Sequence, residues 1–131
     1  MVGLEYSKEA CDKVEEFGFC HRVIQANATD ALDCHKKLME ATGGREADLV
    51  INCVNIPNTE MASILMCANG GTVYFFSMAT SFTKAALGAE GVGKDITMLV
   101  GNGYTRHHAD TTLNILRESP AIRRAYEEMY A

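Results

Sequence analysis

Short strand-like segments alternate with helix-like segments along the chain, and this alternation constrains the fold more than any other feature. The segment 48–54, Asp-Leu-Val-Ile-Asn-Cys-Val, is almost continuously apolar, which is typical of a parallel strand covered on both faces. Further strands are predicted at 2–5, 22–25, 72–76 and 96–100. Helices between successive strands favour right-handed crossovers. We therefore predict an α/β fold, a Rossmann-like parallel sheet of about five strands with flanking helices.

Capping residues and glycines mark the helices between these strands. The predicted helices run from the N-cap Ser7 to Gly18, from Thr29 or Asp30 to Gly43-Gly44, and from Thr59 to Asn69-Gly70-Gly71. The segment 77–93 is predicted as a long, polar, Gly-rich connection with a helical turn near 82–87. Because loops of this length are uncommon, we expect it to have a role in function or in an interface.

Two more helices are predicted near the carboxyl end. The first runs from about residue 105 to 118 and is expected to turn one face inward. The residues of that face are Ala109, Thr112, Leu113 and Leu116. After Pro120, a last amphipathic helix runs through Ile122, Tyr126 and Met129.

The size and charge of the chain limit the classes of protein to which it can belong. At 131 residues it has the size of one domain. Lys and Arg number 12 against 17 Asp and Glu, a net charge of -5, and the basic residues are scattered. The sequence therefore lacks the clustered positive charge that is typical of nucleic-acid-binding proteins. No window approaches the roughly 18 apolar residues of a membrane span, and the first residues lack the pattern of a signal peptide. We expect a cytoplasmic protein with no membrane partner.

The five cysteines indicate neither a disulfide framework nor a metal-binding motif. Their number is odd, and their spacings do not form CxxC motifs. Two Cys-His pairs occur, Cys20-His21 and Cys34-His35. Adjacent residues on a strand or helix point in different directions, so they cannot easily share one tetrahedral zinc. We predict reduced, mostly packed thiols and no metal site.

Polar groups at predicted strand ends are the candidate binding residues. Glu5 ends the first strand, where a dinucleotide-binding fold places a carboxylate that accepts hydrogen bonds from the adenosine ribose and repels a 2′-phosphate. An alternative is that this acid interacts with the dipole of the following helix. The strand ends Cys53-Val54-Asn55 and Ser77-Met78 would project into one crevice and offer backbone groups and small side chains to a nicotinamide ring. Their alternative role is turn formation.

Two glycine-containing segments are candidate phosphate or anion sites. The segment 88–94 has the spacing GxxxxGK, but Asp95 stands where Ser or Thr is needed, and a strand follows where the motif requires a helix. This argues against an ATPase. The segment 101–104, Gly-Asn-Gly-Tyr, leads to Arg-His-His at 106–108, which could hold an anion at a helix N-terminus or could be solvated.

Two long runs resemble a known family. They are NCVNIPNTEMAS at 52–63 and GGTVYFFSMATSFTKAALGAEGVGKDITMLVGNGY at 70–104. They are similar to the 3,5-diaminohexanoate dehydrogenases of lysine fermentation, which are relatives of the medium-chain dehydrogenases. The likeness begins at 3–7, Gly-Leu-Glu-Tyr-Ser, which looks like the end of that family's second Rossmann strand, and continues to Tyr130. It covers essentially the whole chain.

The resemblance implies an NAD-dependent oxidoreductase that oxidatively deaminates 3,5-diaminohexanoate, a small-molecule substrate, to 5-amino-3-oxohexanoate and ammonia. The implied cofactor-binding residues are Glu5, at the ribose, with Tyr6, and Val54, Asn55, Ser77 and Met78, which would line the nicotinamide crevice. By the same resemblance, we expect the family's N-terminal catalytic domain, the first Rossmann strand and its glycine-rich turn to lie outside residues 1–131. We therefore expect residues 1–131 to form a single, partial NAD-binding domain that is inactive alone, and no catalytic residue is identified.

The missing strand leaves open how the sheet closes. In the strand order 3-2-1-4-5-6 it lies between the two halves, where unpaired backbone groups are unfavourable if they are buried without water. The halves could pair directly, another chain could supply the edge, or the order could rearrange toward a flavodoxin-like sheet. We expect a homo-oligomer. Two other functions stay open: a noncatalytic α/β association module without nucleotide binding, and a flavodoxin-like domain for another ligand.

Overall fold

The computed structural model of the protein describes residues 1–101 and 103–131. In that part of the chain, five strands alternate with helices, and two helices follow the last strand. The strands are β1 (Val2–Glu5), β2 (Arg22–Gln25), β3 (Ala47–Asn52), β4 (Cys67–Phe75) and β5 (Thr97–Val100). The helices are α1 (Lys8–Phe17), α2 (Ala31–Thr42), α3 (Glu60–Met66), α4 (Phe82–Val92), α5 (His108–Glu118) and α6 (Pro120–Tyr130). None of these described helices is long and apolar enough to cross a membrane.

All strand pairs are parallel, but the strands form two sheets. β1 pairs with β2, and β4 pairs with β3 on one edge and with β5 on the other. The predicted α/β class with parallel strands and flanking helices is confirmed. Within the described residues β1 and β3 do not pair, and a cavity of about 510 Å³ lies between them. Direct closure therefore does not occur, and neither does a closed flavodoxin-like order, which would need the same pairing.

Local signals position the first two helices. Ser7 is the N-cap of α1, and its hydroxyl accepts a hydrogen bond from a backbone N–H of the first turn at 3.1 Å. Gly18 ends α1 in the left-handed conformation, with φ of 72°. Asp30, rather than Thr29, caps α2, and Gly43 ends that helix in the same conformation as Gly18. These predictions are confirmed. Helix caps can be predicted from the sequence because they depend on residues that are adjacent along the chain.

Helices α2, α3 and α4 lie side by side and form one layer. α3 packs on β3 and β4, and its Ile64 is fully buried in a cluster with Val73 and Phe75 of β4. A second cluster joins Ile24 of β2 to Leu38 of α2. Burying one such side chain stabilises the fold by roughly 1.5–3 kcal/mol. These clusters therefore hold the helix layer on both sheets.

Helix α1 lies on the side of the sheets opposite to the layer of α2, α3 and α4. The chain steps from β1 to β2 in one direction and from β3 through β4 to β5 in the other. Right-handed crossovers then place α1 on the face opposite to α3 and α4. α1 contacts β1 and β2, and α6 contacts α1. The α5 and α6 pair therefore lies on the α1 side.

One face of the sheet formed by β3, β4 and β5 is open. Leu49 and Ile51 of β3 are 56% and 57% exposed, and Leu99 of β5 is 51% exposed. Tyr74 of β4 stands between Ile51 and Leu99 in register, so these side chains form an apolar row. The prediction that the segment 48–54 is covered on both faces is therefore wrong for this chain. Its continuous apolar pattern needs a cover that the described residues do not supply.

The segment 77–93, predicted as a long connection, contains the helix α4 instead. Ser81 caps this helix by accepting a hydrogen bond from the backbone N–H of Lys84 at 3.3 Å. Gly88 lies in its buried face, where an added Cβ would stand 3.1 Å from Ile64 Cδ1. The glycine therefore permits α4 to pack closely on α3. The prediction failed because composition does not show that a glycine faces a neighbouring helix.

β4 begins earlier than predicted. The Asn69-Gly70-Gly71 segment does not stop α3 but lies within β4, whose pairing with β3 shifts register near its start. An added Cβ on Gly71 would stand 2.9 Å from the carbonyl oxygen of Asp48 in β3. Only glycine allows the two backbones to approach so closely. Strand pairing, a tertiary contact, therefore overrides the local helix-stop signal.

α5 begins at His108, later than predicted, and its predicted inward face is open. Ala109, Thr112 and Leu113 are exposed, and Leu116 is half-buried. The main contact of α5 within the described chain is with α6, the helix predicted after Pro120. The amphipathic pattern correctly indicated a helix, but it did not show what would cover the apolar side.

A mostly buried ammonium group joins the amino ends of β3, β4 and β5. Lys94 Nζ donates hydrogen bonds to Glu46 Oε1 at 2.8 Å and to the carbonyl oxygens of Leu65 and Cys67 at 2.7 and 2.6 Å. His35 Nε2 lies 2.9 Å from the same Glu46 oxygen. The hydrogen bond from Lys94 is the main reason why the pKa of Glu46 is lowered from its ordinary value. This group holds the starts of three strands together.

We expect Lys94→Met to lower the free energy of unfolding by about 2 kcal/mol at neutral pH, because a half-buried carboxylate loses its cation. A carboxylate whose pKa is lowered on folding stabilises the folded state above its ordinary pKa. That contribution is lost as the pH falls through the lowered value. The difference between wild type and variant should therefore shrink below about pH 4. Urea denaturation at neutral and at acidic pH measures both effects.

Lys36→Met is the matched control, since Lys36 lies on the exposed side of α2. Its unfolding free energy should stay within about 0.5 kcal/mol of wild type. Equal destabilisation by the two variants, or a Lys94→Met effect that does not change with pH, would contradict the role assigned to Lys94.

Candidate functional site

The carboxyl ends of β3 and β4 meet at a buried serine. Ser77 is 6% exposed, and its Oγ donates a hydrogen bond to the carbonyl oxygen of Val54 at 2.6 Å. The backbone N–H of Met78 donates to Asn55 Oδ1 at 3.1 Å. The structure thus brings together the residues that the sequence suggested for a nicotinamide crevice. Met78 is 82% exposed, so its side chain projects outward from this junction.

A polar network centred on Asn52 lies directly below this junction. Asn52 is 5% exposed, and its Nδ2 donates hydrogen bonds to Thr59 Oγ1 and Ser63 Oγ, both at 2.9 Å. Its Oδ1 accepts from the backbone N–H of Val54 at 3.0 Å. Thr59, predicted as a helix cap, makes no side-chain cap bond. The network was not predicted, although the i, i+4 spacing of Thr59 and Ser63, which places two hydroxyls on one helix face, could have indicated it.

A second buried polar group holds the turn that follows β4. Glu60 is 2% exposed, and its Oε1 accepts a hydrogen bond from the backbone N–H of Ser81 at 2.6 Å. Because Ser81 is the N-cap of α4, this carboxylate ties the start of α3 to the start of α4. Thr80 Oγ1 is buried with no hydrogen-bond partner among the described residues. No sequence signal distinguished Glu60 from an exposed acid in the first turn of a helix.

Glu5 and Tyr6 stand at the carboxyl end of β1. Glu5 is half-buried, and Tyr6 is 73% exposed. Within residues 1–101 and 103–131, no hydrogen bond engages the Glu5 carboxylate or joins it to the Ser77 junction. Ser7 caps α1 directly after this strand end. The interaction of the acid with the helix dipole therefore remains a valid alternative to ligand binding.

The ends of β1 and β3 flank the point where the strand order reverses. Leu4, next to Glu5, and Val54 line the same cavity between the two sheets. In open parallel sheets, ligands bind beyond the carboxyl ends of the strands at such a point. Glu5, the last residue of β1, and Val54, just after β3, therefore stand at the ends of two strands that border one crevice.

The remaining candidates lie outside this crevice or outside the described residues. Asn102, part of the predicted glycine-containing anion site, lies outside the described residues. Residues 106–108 are exposed. The segment 88–94 forms the end of α4 and the turn after it, and Lys94 is bonded to Glu46 at the amino ends of the strands. The Lys94 side chain is therefore engaged at the end of the sheet opposite to the candidate crevice.

Comparison with known proteins indicates a family. A family described as zinc-binding dehydrogenase matches residues 1–116. The chain is 55% identical over 130 residues to L-erythro-3,5-diaminohexanoate dehydrogenase of Acetoanaerobium sticklandii, a match that covers 99% of this chain and 38% of that enzyme. It is 56% identical over 109 residues to the protein of the same name from Fusobacterium nucleatum subsp. nucleatum, covering 83% and 32% respectively. The chain spans about a third of the length of these curated relatives.

The zinc in that family description has no fitting ligand set in the described part of the chain. Among residues 1–101 and 103–131, no three His, Cys, Asp or Glu side chains are grouped so that they could hold a metal ion. Cys34 and Cys67 are fully buried, and burial raises the pKa of both thiols. A raised pKa disfavours the thiolate form that zinc binds. We therefore assign no step to a metal.

We expect Asn52→Ala to lower the free energy of unfolding by about 2 kcal/mol, because it leaves buried polar partners without hydrogen bonds. Urea denaturation measures this loss. Asn114→Ala is the matched control, since Asn114 is exposed on α5 and its side chain bonds only to a neighbouring arginine among the described residues. The control should change stability by less than about 0.5 kcal/mol. If both variants have the stability of wild type, the Asn52 network does not hold the strand end.

Proposed function

We propose that this chain, which belongs to the zinc-binding dehydrogenase family, is the cofactor-binding part of an NAD-dependent dehydrogenase. The observation that carries the proposal is the position of Glu5 at the end of β1 and of Val54 just after β3, the two strands that border the reversal of strand order. Open parallel α/β sheets bind dinucleotides at that point.

Glu5 would hold the adenosine ribose of NAD. A carboxylate at this strand end accepts hydrogen bonds from the ribose hydroxyls and repels a 2′-phosphate, so NAD would be preferred to NADP. The half-buried position of Glu5 suits this role, because its carboxylate makes no hydrogen bond within the described residues. Tyr6 presents an exposed ring next to this carboxylate, where the adenosine would lie.

The junction of Val54 and Ser77 would border the nicotinamide. The Ser77 hydroxyl is tied to the Val54 carbonyl, and the Asn55 amide is tied to the Met78 backbone. The two strand ends therefore form one wall, which the buried Asn52 holds from below. A wall fixed before the ligand arrives positions a ring at little entropic cost. When bound, NAD would supply the hydride acceptor, and these residues would orient it.

The chain contains only part of a dinucleotide site. The diphosphate of NAD is normally bound by backbone N–H groups of a glycine-rich turn at a helix N-terminus. The turn after β1 is Tyr6-Ser7, and the Ser7 hydroxyl is already bonded to the backbone of α1. We therefore expect weak binding of NAD, with a Kd of about 1 mM.

We extend the proposal to the reaction of the whole enzyme. The relatives are named for 3,5-diaminohexanoate. Oxidation at the amine-bearing carbon 3 would remove a hydride, transferred to NAD, and a proton, which leaves an imine. Addition of water to that imine would release ammonia and give 5-amino-3-oxohexanoate. The acid and base for these steps would come from the part of the enzyme that this chain does not span.

The alternative function, a noncatalytic association module, was based on the 77–93 segment and on the sheet edge. The structure removes the first of these two observations. The 77–93 segment is not an open loop, because α4 occupies most of it and packs on α3. The unpaired edges of β1 and β3 remain, and they favour association. Association and cofactor binding are compatible, and the homo-oligomer stays a prediction.

Calorimetric titration of the chain with NAD tests the proposed function. We expect saturable binding that Glu5→Ala weakens about tenfold, because a charge-assisted hydrogen bond to the ribose is lost. NADP should bind wild type more weakly than NAD, and Glu5→Ala should reduce this preference.

Glu9→Ala is the matched control, since Glu9 is an exposed acid in the first turn of α1. It should leave NAD affinity unchanged. Equal affinities of wild type and Glu5→Ala for NAD, or no binding by wild type at about ten times the expected Kd, would overturn the assignment of Glu5.

A further inference from the structure

One carboxylate in the described part of the chain is buried without a cation. Glu60, the first residue of α3, is 2% exposed, and no ion pair among residues 1–101 and 103–131 includes it. Lys84, in the first turn of α4, is exposed and donates a hydrogen bond to Asn58 Oδ1 instead. An isolated buried charge is unfavourable, so other groups must stabilise this one.

The starts of two helices stabilise the Glu60 carboxylate. Glu60 lies in the first turn of α3, and its Oε1 accepts a hydrogen bond of 2.6 Å from the backbone N–H of Ser81, the N-cap of α4. Each helix start carries roughly half of a positive unit charge, because its first N–H groups have no partner within the helix. The carboxylate therefore offsets the positive charge of both starts, and without it that charge would remain.

Glu60 is linked to the β3 end of the proposed nicotinamide wall. Oγ1 of the preceding residue, Thr59, lies 2.9 Å from Asn52 Nδ2. Asn52 Oδ1 in turn accepts a hydrogen bond from the backbone N–H of Val54 at 3.0 Å. The side chain of one buried residue therefore connects the start of α3 with the wall.

Glu60 is also linked to the β4 end of that wall. Ser81, which donates to its carboxylate, follows Ser77 after a short turn. The turn is tight, since Ser77 Oγ accepts a hydrogen bond from the backbone N–H of Ala79 at 3.1 Å. Because a chain spans at most about 3.5 Å per residue and this segment turns, the carboxylate lies roughly 10 Å from the wall.

The oxidised nicotinamide ring of NAD carries a positive charge, whereas the reduced ring of NADH is neutral. We propose that Glu60 determines which redox form of the cofactor the site prefers, because its negative charge favours the cationic ring. The inference rests on the proposed function, since it needs the ring to lie at Val54 and Ser77. Two unit charges about 10 Å apart change a binding equilibrium roughly tenfold when the effective dielectric constant is about 20.

A preference for the oxidised form suits an enzyme that oxidises its substrate. The cofactor that must bind before the reaction would be held more tightly, and the product NADH would be released more easily. This effect differs from that of a carboxylate that only holds the turn after β4. Loss of a merely structural group would weaken all ligands of the site alike, whereas loss of the charge acts only on the charged ring.

Titration of the chain with NAD, NADH and ADP-ribose, which lacks the ring, tests the proposal. Glu60→Gln keeps an oxygen for the Ser81 N–H but removes the charge. It should weaken the binding of NAD about tenfold and change the affinities for NADH and ADP-ribose less than about twofold. Glu60→Asp keeps the charge on a shorter side chain, so it should keep the wild-type ratio of the affinities for NAD and NADH. NADH fluorescence and calorimetry measure these affinities.

Lys84→Met tests the same charge effect without a change in the interior. Lys84 is exposed, so the variant should fold even if Glu60→Gln does not. Loss of a positive charge near the start of α4 should shift the affinity ratio in the opposite direction, toward NAD. The shift should be smaller than that of Glu60→Gln, because water screens an exposed charge. Circular dichroism checks the fold of each variant.

Glu90→Gln is the matched control, since Glu90 is an exposed acid near the other end of α4. It should leave the ratio unchanged. Equal weakening of all three ligands by Glu60→Gln would overturn the proposal, and so would a ratio that neither Glu60→Gln nor Lys84→Met changes. If wild type binds none of the three ligands, the proposed cofactor site fails together with this inference. If wild type binds them and the ratio does not respond, only the assignment of Glu60 fails.

Discussion

Inner strands of a parallel sheet pair on both edges and are covered on both faces, and among the described residues β1 and β3 face each other across a cavity without pairing, while one face of β3 is open. The rest of the architecture is arranged around that position. From this position, the connection from β1 to β2 runs toward one edge of the molecule, and the connections from β3 through β4 to β5 run toward the other. Right-handed crossovers therefore place α1 on one face and α3 and α4 on the other. The candidate crevice lies there for the same reason, since helices that start on opposite faces leave space beyond the strand ends.

Two polar groups hold the three-stranded half of the fold at its opposite ends. At the amino ends, Lys94 and Glu46 join the starts of β3, β4 and β5. At the carboxyl ends, Asn52 and Glu60 hold the turns that carry the candidate nicotinamide wall. Each group exchanges its bonds to water for bonds to backbone groups or polar side chains, which makes burial tolerable. This half can therefore keep a defined crevice although one of its faces is open.

Prediction from sequence succeeded where local chemistry decides. Ser7 and Gly18 delimit α1 because a cap and a left-handed glycine act on their own helix. It failed where a glycine serves a contact between elements, as Gly71 does beside β3 and Gly88 does beside α3. For the candidate site, strand ends could be located from the alternation of segments, whereas the i, i+4 spacing of Thr59 and Ser63 indicates at most a polar helix face and does not identify Asn52 as its partner. Its hydrogen bonds join a strand to a helix that local propensity does not orient.

The sequence by itself determined the α/β class, the direction of the strands and the residues that follow each strand end, because periodicity and capping are encoded within single segments. Only the tertiary structure decided that the strands divide into two sheets and that Ser77 ties β4 to Val54. It also decided that the apolar row through Ile51 is left open. The physical reason is that strand pairing and the cover of a sheet face depend on which elements become neighbours in space. An apolar segment pattern indicates that a segment is to be buried, but it does not specify the element that buries it.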